Sequence, residues 1–225
     1  MATQWMHGSM VAKMRQSPDG GNNSEEQTLL RFDVVERIAH WLNVLLFAVL
    51  ILTALPLYFG QVEALVGRRV LVGEIHLWCG ILLPAPLLIS LMGPWGKDFR
   101  ADLRRFNRWT PGEIAWIRSL GQSQLELGKF NPGQKLNAIF IGASMLVMFL
   151  TGLVLHWFGL FPLDWRIGAT FVHDLFAAAL SVVVLGHIYF ALSHPASMKS
   201  MLDGRVTRTW ASVHAKRWLA EQADE

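Results

Sequence analysis

Four apolar runs, at roughly 35–59, 70–93, 135–158 and 167–193, constrain this chain more than any other feature it carries. Each is long enough to cross a hydrocarbon layer of about 30 Å as a helix. Within such a layer a backbone amide finds its partner only inside its own helix or in a closed barrel, so four apolar runs of this length mean four helices. Composition agrees: 52% of the 225 residues are hydrophobic and 16% charged, with a mean hydropathy of +0.33. The expected fold is an all-α integral membrane protein in which four transmembrane helices form one bundle over residues 31–193. Residues 1–30 are polar, contain no secretory h-region and read as a disordered tail, which leaves the first span uncleaved.

Basic residues are sorted by loop. Lys13, Arg15, Arg31 and Arg37 precede the first span, and Lys97, Arg100, Arg104, Arg105, Arg108, Arg118, Lys129 and Lys135 lie between the second and third. Lys199, Arg205, Arg208, Lys216 and Arg217 follow the fourth, whereas only Arg68, Arg69 and Arg166 occupy the two opposite loops. By the positive-inside rule both termini and the loop at about 97–134 are cytoplasmic. This sorting accounts for the basic pI of 9.3, and no nucleic-acid partner is expected.

Helix starts are marked locally. Asp33 with Glu36 three residues on forms a capping box for the first span, and Thr110-Pro111-Gly112-Glu113 has the same form with proline at the first helical position. The short helix behind Thr110 sets Ile114, Ile117 and Leu120 on one side with Trp116 flanking, suited to a membrane interface or to a partner surface. Pro56 lies near the outer end of the first span, and Pro84 and Pro86 lie inside the second. After His194-Pro195, residues 194–225 read as an amphipathic cytoplasmic tail with Val206, Trp210, Val213 and Trp218 on a rough helical stripe.

Chemistry resides in the histidines. A single cysteine, Cys79, excludes a disulfide framework, a four-thiolate iron–sulfur cluster within the chain and a C-x-x-C-H haem attachment site. The fourth run carries His173 and His187, fourteen residues apart, which in a helix is just under four turns and roughly 21 Å of rise. Both imidazoles therefore face one side, one near each membrane surface. Topology puts His40 of the first span at the cytoplasmic depth of His187, and His76 of the second at the outer depth of His173. A planar macrocycle takes one axial ligand from each side, so the pairs His40/His187 and His76/His173 point to two bis-histidine b-type haems stacked across the membrane. One ion shared by His173 and His187 fails on distance.

A proton relay competes at the outer end, where Glu74 and Asp174 flank the pair unless Arg68, Arg69 or Arg166 holds them. His156 ends the third span as an interfacial residue, His7, His194 and His214 lie outside the spans, and Cys79 packs beside the outer site.

Several pieces of the chain resemble the cytochrome b (gamma) subunit of membrane-bound formate dehydrogenases, within a wider group of thiosulfate reductase and hydrogenase cytochrome b subunits. They are Glu36-Arg37-Ile38-Ala39-His40-Trp41, the run Gly128-Lys129-Phe130-Asn131-Pro132-Gly133-Gln134-Lys135, His173 with His187-Ile188-Tyr189, and Asp203-Gly204-Arg205-Val206-Thr207-Arg208 continuing through Trp210-Ala211 to Arg217-Trp218. The resemblance covers about Arg31 to Leu219. It implies that His40, His76, His173 and His187 are the haem ligands, and that a menaquinone or ubiquinone site lies beside the cytoplasmic haem at Asn131 and Gly133, with His187 nearby.

It further implies an iron–sulfur partner subunit and a molybdenum or tungsten catalytic subunit, with this chain in the cytoplasmic membrane of a prokaryote, surrounded by lipid. The chain would carry electrons from the iron–sulfur partner to the outer haem, the inner haem and then quinone, oxidising no formate itself. Arg37 on the inner side and Arg68, Arg69 or Arg166 on the outer are candidate partners of haem propionates. The alternatives are a cytochrome b subunit of a thiosulfate or polysulfide reductase or of a hydrogenase, and a haem-free membrane anchor.

Overall fold

The protein was analysed as a computed structural model that describes residues 27–122 and 125–223. A three-residue strand, β1 (Thr28–Leu30), leads into α1 (Val34–Tyr58), the short α2 (Gly60–Val66) and α3 (Arg69–Leu82) with α4 (Ala85–Leu91). Next come α5 (Lys97–Asn107) and α6 (Pro111–Arg118), then α7 (Pro132–His156) and α8 (Leu163–Ser193). The chain ends in α9 (Pro195–Asp203), β2 (Arg205–Thr207), α10 (Arg208–His214) and α11 (Lys216–Glu221). Four helical stretches are long and apolar enough to span a membrane: Val34–Tyr58, Arg69–Leu91, Pro132–His156 and Leu163–Ser193. α1 packs on α3 and α7 on α8, with α3 against α7 joining the two pairs. Val182, Leu185, Phe190 and Leu192 stand among many large apolar side chains that are more than half exposed, as expected of surfaces that face lipid rather than a protein core.

Caps set the boundaries. Asp33 accepts the Glu36 amide at 2.7 Å while Glu36 accepts the Asp33 amide at 2.9 Å, and Thr110 with Glu113 does the same for α6. A third box was hidden in a turn signal. Asn131 Oδ1 accepts the Gln134 amide at 2.8 Å and Gln134 returns the bond at 3.0 Å, so α7 begins at Pro132, three residues before the expected 135. α8 likewise begins at Leu163 rather than 167, because Pro162 in extended geometry directs the chain straight into the helix. The second span is two helices. Pro84 and Pro86 lack the amides that would bond one turn back, and α3 stops at Leu82 before α4 resumes at Ala85.

β1, the segment from α9 to α11 and the described part of the segment between α4 and α7 gather at one end of the bundle, called here the near end. Residues 1–26 of the expected tail lie outside the described residues, but its last part is not irregular: Thr28–Leu30 pairs antiparallel with Arg205–Thr207, Leu29 opposite Val206. Gly204 makes the joint possible. It has φ +85°, its carbonyl accepts the amides of Arg31 and Phe32, and a Cβ there would lie 2.6 Å from the Phe32 carbonyl.

The expected stripe in the tail is corrected in the same place. Because β2 interrupts the helix, Val206, Ala211, Ala215 and Trp218 form a small core with Leu29, Trp210 and Leu219 against it, while Val213 points outward. On α6 the stripe is also shorter than expected, since the helix ends at Arg118 and Leu120 adopts φ +52° in the turn beyond, 89% exposed.

Candidate haem-binding site

The four-helix topology predicts which histidines meet, and the structure brings those pairs together. His40 of α1 faces His187 of α8 with ring centroids 6.3 Å apart and planes at 64°. His76 of α3 faces His173 of α8 with centroids 6.4 Å apart and planes at 61°. The first pair lies toward the near end and the second toward the far end. Each therefore joins α8 to a helix of the opposite packed pair.

Donor chemistry fits a haem. An imidazole nitrogen about 2 Å from a metal ion, with the ring centre ~1.1 Å beyond it, separates two axial rings by about 6.2 Å. The observed separations of 6.3 and 6.4 Å are close to that value. Among the described residues no three histidine, cysteine, aspartate or glutamate side chains converge, so ligation by pairs suits a macrocycle that supplies its own four nitrogens.

The far-end rings are oriented by hydroxyls that the sequence reading did not single out. Thr53 Oγ1 on α1 lies 2.8 Å from His76 Nδ1, and Thr151 Oγ1 on α7 lies 2.9 Å from His173 Nδ1. Each threonine directs its own proton back along its helix, Thr53 to the Val49 carbonyl at 2.7 Å and Thr151 to the Val147 carbonyl at 2.7 Å. The only signal in the sequence was a threonine in the outer part of each of two apolar runs. Recognising it required knowing that α1 lies against α3 and α7 against α8.

Two buried ionic clusters hold the near end. Lys129 Nζ meets Asp102 Oδ2 at 2.5 Å and Glu36 Oε1 at 3.9 Å, all three side chains being nearly inaccessible, and Asp102 also accepts Arg105 at 2.8 Å. Arg31 donates to the Lys129 carbonyl at 3.3 Å and lies over the Trp210 ring. Burial lowers its pKa to about 10, offset in part by Asp102. In the second cluster Glu113 accepts Lys135 Nζ at 2.9 Å and Arg217 Nη2 at 3.1 Å. Burial pushes the Glu113 carboxyl up, but the bonds from Lys135, the Thr110 amide and Arg217 outweigh it and hold the group below its ordinary value. Arg217 also seals Gly128, where a Cβ would fall 2.8 Å from its Nη2, so the Gly128–Lys135 run and the Arg217-Trp218 pair form one structural unit.

The remaining sequence candidates separate. Arg37 donates to the Leu202 carbonyl and the Asp33 carbonyl, which ties α9 to α1. Arg69 pairs with Glu63 at 2.6 Å rather than with Glu74. Arg166, two turns from His173 on the same face of α8, has a buried Nε with no protein partner. Asn131 uses its carboxamide oxygen on the α7 cap, and neighbouring Gly133 is exposed.

Residues 31–204 match the family described as prokaryotic cytochrome b561. The chain belongs to this family. The cytochrome b556 subunit of formate dehydrogenase from Haemophilus influenzae is 26% identical over 208 residues, 88% of this chain and 85% of that one. The cytochrome b556(fdo) subunit of Escherichia coli formate dehydrogenase is 28% identical over 86% of this chain and 93% of that one, and the nitrate-inducible cytochrome b556(Fdn) subunit is 23% identical over 88% and 93%. Membership in a cytochrome b family implies haem b, and with four apolar helices it identifies a multi-pass protein of a prokaryotic inner membrane.

Proposed function

We propose that this cytochrome b is the di-haem subunit of a respiratory formate dehydrogenase, carrying electrons from an iron–sulfur partner subunit across the membrane to quinone. Two histidine pairs at matched depths, with ring centroids 6.3 and 6.4 Å apart, carry the reading. When bound, a haem supplies a one-electron ferric/ferrous couple at each pair. His40 and His187 would hold it at the near end and His76 and His173 at the far end, roughly 21 Å away along α8. Arg166, on the same face of α8 as His173, would offer its buried and unpartnered Nε–H to a haem propionate at the far-end site.

The positive-inside distribution makes the near end cytoplasmic, so the far end would face the iron–sulfur subunit and its molybdenum- or tungsten-containing catalytic partner. Quinone would be reduced near His187, with the Asn131 amide as a hydrogen-bond donor and the exposed backbone at Gly133 leaving room for approach. The relatives' formate dehydrogenase names favour that partner over a thiosulfate reductase or hydrogenase. The test is a reduced-minus-oxidised spectrum of the purified complex and of membranes given formate. A b-type α-band that formate reduces, and that reoxidises on adding a quinone analogue, is expected; a purified chain without b-type absorbance would exclude the reading.

A further inference from the structure

We infer that Thr53 and Thr151 are positioning residues for the far-end haem, each accepting a hydrogen bond from the Nδ1–H of a ligand histidine and so directing its Nε2 lone pair to the iron. The inference rests on the haem reading above. Its basis is a proton count. A threonine hydroxyl has one proton, and with the Val49 carbonyl at 2.7 Å and the Leu50 carbonyl at 3.1 Å the Thr53 proton lies toward these backbone oxygens, since two bare oxygens would repel at the shorter separation. The contact of 2.8 Å between Thr53 Oγ1 and His76 Nδ1 then has its proton on the ring. The same holds for Thr151, which donates to Val147 at 2.7 Å and faces His173 Nδ1 at 2.9 Å. A neutral imidazole protonated at Nδ1 is a base at Nε2 alone.

The two arrangements are copies of one device on different helices. Each places the hydroxyl on the helix packed beside the histidine's own, α1 beside α3 and α7 beside α8. At the near end, among the described residues, neither His40 nor His187 makes a hydrogen bond of this kind. The far-end pair therefore has two ligands of raised basicity and the near-end pair has none from this source. Stronger donors favour ferric iron, which sets the far-end haem at a lower potential than it would otherwise have. A lowering confined to the far-end site favours passage of an electron from the far end to the near end.

The test is a potentiometric titration of the b-type α-band in the intact membrane complex, with His76→Ala used to identify the far-end component. In Thr53→Val or Thr151→Val the far-end haem should become easier to reduce by about tenfold in its equilibrium constant, which is about 59 mV for one electron, while the near-end haem is unmoved. Thr53→Ser and Thr151→Ser retain the hydroxyl and should restore the original value. Loss of the far-end haem from the valine proteins with retention in the serine proteins would also support the assignment.

Unchanged potentials at full haem content would overturn it, as would an equal shift of both haems or serine proteins that behave like valine ones. A wild-type complex without b-type haem would overturn the functional reading itself, an outcome distinct from these.

Discussion

Replacing Glu113 by alanine should loosen the near end of the bundle more than any other single change there. The carboxylate is 1% exposed and anchors three parts of the chain: it caps α6 through the Thr110 amide, accepts Lys135 of α7 at 2.9 Å and accepts Arg217 of the C-terminal segment at 3.1 Å. Lys135 is itself only 4% exposed, so removing its partner leaves a buried ammonium whose remaining contacts among the described residues are a hydrogen bond to the Arg108 carbonyl at 2.8 Å and the face of the Trp109 ring. Breaking a buried ion pair from one side costs about 3–5 kcal/mol, and the lost cap adds about 1 kcal/mol.

A double replacement separates these contributions. Glu113→Leu with Lys135→Met removes both charges and should recover most of the ion-pair part. Thermal unfolding in detergent, followed by tryptophan fluorescence, measures the native protein, the single Glu113→Leu and Lys135→Met proteins and the double one. Limited proteolysis of the segment between α6 and α7 reports whether the damage is local. If the double replacement costs the sum of the two single ones, the buried pair is not the source of the loss and the reasoning is refuted.

Two more outcomes follow from the same end of the molecule. Because the folded-state pKa of Glu113 lies below the ordinary 4.5, its stabilising contribution is complete above about pH 4.5 and declines as pH falls further and the carboxylate takes up a proton; near-end proteolysis should therefore rise only below about pH 4.5 in the native protein and not in Glu113→Gln. Asn131→Asp retains the cap oxygen and loses the amide donor, so quinone reduction should fall by about tenfold with unfolding unchanged, whereas Asn131→Ala should also lower stability by about 1 kcal/mol; equal turnover in native and aspartate proteins would confine Asn131 to its capping role.

The spans, the pairing of histidines and two of the capping boxes were legible in the sequence because each rests on local spacing or on depth, and four spans leave few ways to match depths. Once the runs alternated in direction, depth matched His40 with His187 and His76 with His173. Thr53 and Thr151 were not legible in the same way. A hydroxyl facing a ring on another helix depends on the rotation of each helix about its axis, which hydrophobic periodicity scarcely fixes in runs that are apolar all round.

The near end was the least legible. Residues far apart in the chain, Arg31, Glu36, Asp102, Lys129 and Ser200, are neighbours there. β1 and β2 are three residues each, too short to register as strands before their pairing is known. The charges that the positive-inside rule read as an orientation signal are in part this buried scaffold. Lys129 and Lys135 are structural cations as well as topological ones.

The central claim is that two haems are each held by a histidine of α8 and one of the other packed pair, and haem content per chain in four single-histidine variants tests it most directly. The unaltered chain should bind two b-type haems. His40→Ala and His187→Ala should each lose the near-end component and keep the far-end one, while His76→Ala and His173→Ala should do the reverse. A single haem per chain, or loss of the same haem from His40→Ala and His76→Ala, would contradict the account.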